Sequence, residues 1–62
     1  MPIVTVEMLK GRTLEQKRQM AKEVTEAVSR SVNCPKESVK VIINEMDTEN
    51  FAEAGVLRCD KK

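Results

Sequence analysis

Apolar and polar residues alternate at the start of the chain. Val4, Val6 and Met8 fall on one side of an extended segment, and Ile3, Thr5, Glu7 and Leu9 on the other, which is the two-residue period of a β-strand. Lys10-Gly11-Arg12 breaks that period. Thr13-Leu14-Glu15-Gln16 then has the form of a capping box, in which the Thr13 hydroxyl and the Gln16 side chain satisfy free amides of a new helix. Leu14, Met20, Ala21, Val24, Ala27, Val28 and Val32 form an apolar stripe along that helix, and Lys17, Arg18, Lys22, Glu23, Glu26 and Arg30 take much of the remainder. The helix is expected to stop near Asn33, because Asn tolerates a left-handed terminus and Pro35 disfavours helical geometry at Cys34.

A second strand is predicted over residues 39–46, Val39-Lys40-Val41-Ile42-Ile43-Asn44-Glu45-Met46, which is rich in β-branched residues. Two strands joined through a helix of this length predict a right-handed crossover and parallel pairing. Asp47-Thr48-Glu49-Asn50 reads as a turn, and the weakly patterned segment from Phe51 to Cys59 as a hairpin arm around Gly55. The fold class is therefore α/β: a β-α-β subunit in one domain over residues 1–62, with a short C-terminal hairpin. Such a unit leaves open strand edges and one sheet face without cover. A homo-oligomer is expected, since further copies would extend the sheet and cover its bare face.

Length sharpens that expectation. A chain of 62 residues buries only about 60% of the surface its unfolded form exposes and needs reinforcement. Cys34 and Cys59 lie far apart, and no histidine is present to complete a zinc site, so no metal is expected. No apolar run approaches a signal-peptide core or a membrane span, which points to a cytoplasmic chain with free thiols. Eleven basic residues against ten acidic ones leave a net charge of +1, with the signs mixed along the chain and Phe51 as the single aromatic residue. Neither a phosphate-tracking basic block nor a stacking platform is present, so nucleic acid is a poor partner.

Without histidine, acid and base work would fall to a carboxylate, a lysine, a cysteine or the chain terminus. Neither cysteine has a neighbour in sequence that clearly activates it, and the chain has no Gly-rich phosphate loop or Ser-His arrangement. Pro2 stands out. An initiator methionine before a proline is ordinarily removed, which would expose a secondary amine at the head of a strand. Terminal amines have pKa values of roughly 7.7 to 8.0, and desolvation or nearby cations lower them toward neutrality. The plainer reading is that Met-Pro is a tolerated start, and on composition alone that reading is preferred.

Pro2-Ile3 opening a strand, Leu9-Lys10-Gly11-Arg12 closing it, Glu15-Gln16-Lys17 in the first helical turn, Val39-Lys40-Val41-Ile42-Ile43-Asn44-Glu45-Met46 and Asn50-Phe51 together resemble the 4-oxalocrotonate tautomerase family. The resemblance runs from Pro2 to about Gly55 without insertion. It implies a hexamer of paired subunits that works without a cofactor. It also implies an N-terminal proline as general base, moving a proton between enol and unsaturated keto forms of a small anionic 2-keto acid of the 2-hydroxymuconate type. Arg12 stands where the family binds substrate, and a guanidinium grips a carboxylate with two prongs; by itself it reads as a solvated turn residue. Phe51 matches the family's aromatic wall, or else packs in a core or interface.

Two departures matter. Lys40 stands where well-studied relatives carry a second arginine; it keeps the charge without the planar fork, and by itself it reads as an edge-strand charge that blocks aggregation. Phe51-Ala52-Glu53-Ala54-Gly55 is poorer in glycine than many relatives, which changes the hairpin geometry expected there. Two alternatives stay open: a non-catalytic structural or binding subunit of the same assembly, and a hydratase or dehalogenase of unsaturated acids that activates water through Glu7, Glu45 or Glu53.

Overall fold

The computed structural model describes residues 1–61. Strand β1 spans Ile3–Leu9, helix α1 spans Leu14–Val32, and strand β2 spans Lys40–Met46. A short hairpin follows, with β3 at Ala52–Glu53 and β4 at Val56–Leu57. Single 3₁₀ turns at Lys36–Ser38, Thr48–Asn50 and Arg58–Asp60 join or close these elements.

Local chemistry sets the helix ends. Thr13 caps α1 through its side chain, which accepts from the Gln16 amide at 3.1 Å, and the Gln16 side chain accepts from the Thr13 amide at 2.9 Å. At the other end Asn33 adopts the left-handed conformation, φ 57° and ψ 55°, and its amide donates to the Ser29 carbonyl. Both ends are those the sequence predicts. The second strand starts one residue later than predicted: Val39 closes the preceding 3₁₀ turn by donating to the Lys36 carbonyl at 3.0 Å and is buried instead of paired.

β1 and β2 run parallel, in the register Ile3↔Lys40 through Leu9↔Met46. Backbone bonds extend the ladder past both ends, from the Lys40 amide to the Pro2 carbonyl at 3.0 Å and from the Lys10 amide to the Met46 carbonyl at 2.9 Å. Val4, Val6, Met8, Val41 and Ile43 are partly shielded on one face, whereas Ile3, Thr5, Glu7, Lys40, Ile42 and Asn44 on the other are exposed. On that open face the Asn44 amide group donates to the Glu7 carboxylate at 2.9 Å. The predicted helix stripe is covered only in its middle, since Leu14 and Val32 remain 59% and 58% exposed.

The hairpin forms around Gly55 as predicted. Ala52 pairs with Leu57 and Glu53 with Val56, so Ala54 and Gly55 make a two-residue loop with φ of 52° and 80°. Positive φ at both positions is the signature of a type I′ turn, whose twist matches that of the flanking strands.

One subunit alone has almost no interior. Among the described residues Val39 is the sole buried hydrophobic. The accessible surface is 4883 Å², against about 4,000 Å² for a compact monomer of this mass. The radius of gyration is 14.7 Å, against about 10.6 Å for a globular domain of this length. The slab measures 43 × 24 × 13 Å and leaves a sheet face open. No helix among the described residues is long and apolar enough to cross a membrane.

Candidate functional site

A parallel pair puts both strand beginnings at one end of the sheet and both strand endings at the other. Pro2 and Lys40 therefore share the first end. The Pro2 carbonyl accepts from the Lys40 amide at 3.0 Å, and Pro2 is half-buried while Met1 beyond it is 85% exposed. The Pro2 nitrogen lies in a peptide bond to Met1, so it is an amide with no basicity until that residue is cleaved. The Lys40 ammonium donates to the Glu37 carbonyl at 3.2 Å and pairs with no carboxylate among the described residues.

Arg12 and Phe51 belong to the opposite end. Gly11, at φ 132°, turns the chain out of β1 in a conformation that L side chains rarely adopt. That turn presents Arg12 just before the Thr13 cap. Arg12 is exposed and pairs with no carboxylate among the described residues. It lines two adjoining clefts. One, of about 450 Å³, is bounded by Met8, Leu9, Lys10, Gly11, Arg12, Thr48 and Arg58. The other, of about 250 Å³, is bounded by Met8, Arg12, Gln16, Lys17 and Met20. Phe51 is half-buried after the 3₁₀ turn Thr48–Asn50, and its carbonyl accepts from the Arg58 amide at 2.8 Å.

The four candidate residues thus form two pairs that one subunit does not unite. The seven residues of β1 separate Pro2 from Lys10, eight steps or about 26 Å at the rise of a parallel strand. A small substrate bound at Arg12 is out of reach of the same chain's Pro2. A complete site built from all four residues requires at least a second chain.

The electrostatics of the Arg12 end are cationic. Lys10 pairs with Asp47 at 3.0 Å. Its pKa is raised, first by the hydrogen bond to the Asp47 side chain and then by the charge of that carboxylate. A raised lysine pKa means that the charge of Lys10 is present at neutral pH and that its contribution to the pairing is lost as pH rises through the folded value. Arg58 was not singled out by the sequence pattern, because it lies in the weakly patterned tail; its place depends on the register of the hairpin. The signal that could have found it is an arginine just after the hairpin, at a distance that folds it back on the β1 terminus.

The three glutamates considered for activating water are all engaged. Glu7 accepts from Asn44, Glu45 pairs with Lys17 at 2.9 Å, and Glu53 faces Arg58 at 3.4 Å and Lys61 at 3.9 Å. Among the described residues no group of three or more Cys, Asp or Glu side chains is placed to hold a metal ion. Cys34 and Cys59 are both free thiols.

Comparison with known proteins gives a consistent result. The family model described as tautomerase enzyme matches residues 2–60. A probable tautomerase of Streptococcus pneumoniae is 48% identical over 58 residues, covering 94% of this chain and 97% of that protein. The crystal structure of a 4-oxalocrotonate tautomerase homologue superimposes with a TM-score of 0.95 at 39% identity, covering 100% of this chain and 98% of the other. A heterohexamer 4-oxalocrotonate tautomerase from Chloroflexus aurantiacus superimposes with a TM-score of 0.94 at 26% identity over the whole of both chains.

Proposed function

Since the chain belongs to the tautomerase family, we propose that it is a cofactor-independent keto-enol tautomerase of small anionic 2-keto acids of the 2-hydroxymuconate type, with Pro2 as general base. Residues 1–62 form a single tautomerase-like domain that works in the cytoplasm. The observation that carries this reading is the pairing of Pro2 with Lys40 at the head of the sheet, under an exposed Met1. Removal of Met1 leaves a secondary amine at the same end of the sheet as the cation of Lys40. That cation disfavours the protonated amine and holds the free base available near neutral pH.

The neutral amine takes the proton of the enol hydroxyl. The oxygen electron pair closes to a carbonyl, the double bond shifts, and the prolinium returns the proton to carbon. No electrons or other reactants are needed. Lys40 stabilises the developing enolate as a point charge. Arg12, from another subunit, grips a carboxylate of the substrate, and the ring of Phe51 supplies apolar surface that keeps the amine neutral.

Assembly completes the site. Antiparallel pairing of the open β1 edge with that of a second copy sets the Pro2 end of one chain against the Lys10-Gly11-Arg12 end of the other. Three such pairs closing over the bare face of Ile3, Thr5 and Ile42 give a homohexamer. The low internal burial of the subunit supports assembly, and the heterohexameric relative supports the count of six.

The test is turnover on a panel of enolised 2-keto acids by protein whose mature terminus is verified by mass. Ultraviolet absorbance should report ketonisation above the solvent rate, undiminished by chelator. Absence of turnover on every such acid, with proline at the terminus, would refute the reading.

A further inference from the structure

The larger cleft at the strand endings carries three cationic side chains in its lining, Lys10, Arg12 and Arg58, and no carboxylate. Lys10 is taken by Asp47. The two guanidinium groups arrive from separate elements, Arg12 from the turn after β1 and Arg58 from the 3₁₀ turn after β4. Like charges brought together in one cleft repel each other unless an anion joins them. We propose that Arg58 is a second carboxylate-binding residue of the active site, so that Arg12 and Arg58 each take one carboxylate of a dicarboxylic acid whose hydrocarbon chain lies on Met8 and Leu9. This rests on the reading of Arg12 as a substrate-binding residue.

Arg58 is held in a way that suits the task. Its amide is anchored to the Phe51 carbonyl at 2.8 Å, and its carbonyl accepts from the Lys61 amide at 3.2 Å. One terminal nitrogen of the guanidinium faces Glu53 at 3.4 Å, which orients the group across the hairpin. A guanidinium has five donors, so the other edge remains for a ligand. The side chain is 47% exposed and accessible from solvent. Lys40 lacks the fork that orients a carboxylate; Arg58 supplies a fork from the opposite end of the sheet.

The experiment is calorimetric titration of the processed full chain with hexa-2,4-dienedioate and with hexa-2,4-dienoate. The two acids differ by one carboxylate and lack the enol, so binding is read apart from turnover. Wild type should bind the dianion more tightly. Arg58→Gln should weaken the dianion about tenfold to a hundredfold, the range of a lost charge-assisted hydrogen bond, and leave the monoanion within about twofold. Arg58→Lys should fall between. If Arg58→Gln does not fold, Arg58→Lys decides by the same selective loss for the dianion. Equal loss on both acids, no loss on either, or no dianion preference in wild type would overturn the proposal. Turnover without selective loss refutes Arg58 alone, whereas selective loss without turnover refutes the tautomerase reading and leaves Arg58 standing.

Discussion

The backbone amide of Lys40 donates to the carbonyl of Pro2 at 3.0 Å, so the residue with a latent terminal amine and a lysine without a carboxylate partner among the described residues share one end of the sheet. The strand register sets this neighbourhood, so it survives changes to either side chain. Lys40→Ala should therefore leave the fold intact and lower kcat for enol substrates about tenfold to a hundredfold, the effect of losing one charged group in the transition state. Lys40→Arg should preserve or raise kcat/KM by restoring the fork. Steady-state kinetics on both variants check this.

Arg12 stands at the other end without a carboxylate partner among the described residues. Arg12→Ala should raise KM about tenfold or more with a smaller change in kcat, because it removes binding common to substrate and transition state. Its exposed turn position predicts an unchanged melting temperature. Unchanged kinetic constants would remove Arg12 from the site.

Ala54 sits at φ 52° in the hairpin loop, ahead of Gly55 at φ 80°. A left-handed non-glycine residue costs roughly 1–2 kcal/mol, and the greater freedom of glycine in the unfolded chain offsets about 0.4–1 kcal/mol of that. Ala54→Gly should raise stability by up to about 1.6 kcal/mol. Gly55→Ala should lower it, through backbone strain, since no atom lies within 4 Å of the added methyl group. Denaturant unfolding at fixed protein concentration measures both.

Ile3 and Ile42 are exposed on the open sheet face at 62% and 45%. Ile42→Glu would place a charge where copies are proposed to meet. Light scattering should show a hexamer for wild type and smaller species for the variant, with loss of activity. A stable folded wild-type monomer at micromolar concentration would remove both the assembly and the shared site.

Much of the fold was legible because its determinants are local. The capping box, the left-handed Asn33 and the β-branched second strand each act within a few residues. The exposure of Leu14 and Val32 was not legible, because periodicity reports which face a residue occupies and not how far a partner element extends. Arg58 was missed because its position follows from the two-residue loop at Ala54-Gly55, which carries little hydrophobic signal. Pro2 stood out because loss of Met1 would expose its amine, whereas Arg12, Lys40 and Phe51 came forward through resemblance. Their division between two ends of the sheet is a property of parallel pairing, visible only once the register is known.

The claim most directly open to measurement is that the Pro2 amine carries the proton. Two preparations verified by intact mass, one with Pro2 at the terminus and one retaining Met1, should fold and assemble alike. The processed protein should show kcat/KM rising with pH along a limb displaced below an ordinary terminal amine, since the Lys40 cation and an apolar wall both disfavour protonation. In the Met1-retaining protein that limb should vanish and turnover should fall by at least about a hundredfold, in line with loss of general-base catalysis. Equal turnover by the two preparations would contradict the account and transfer the base to a carboxylate.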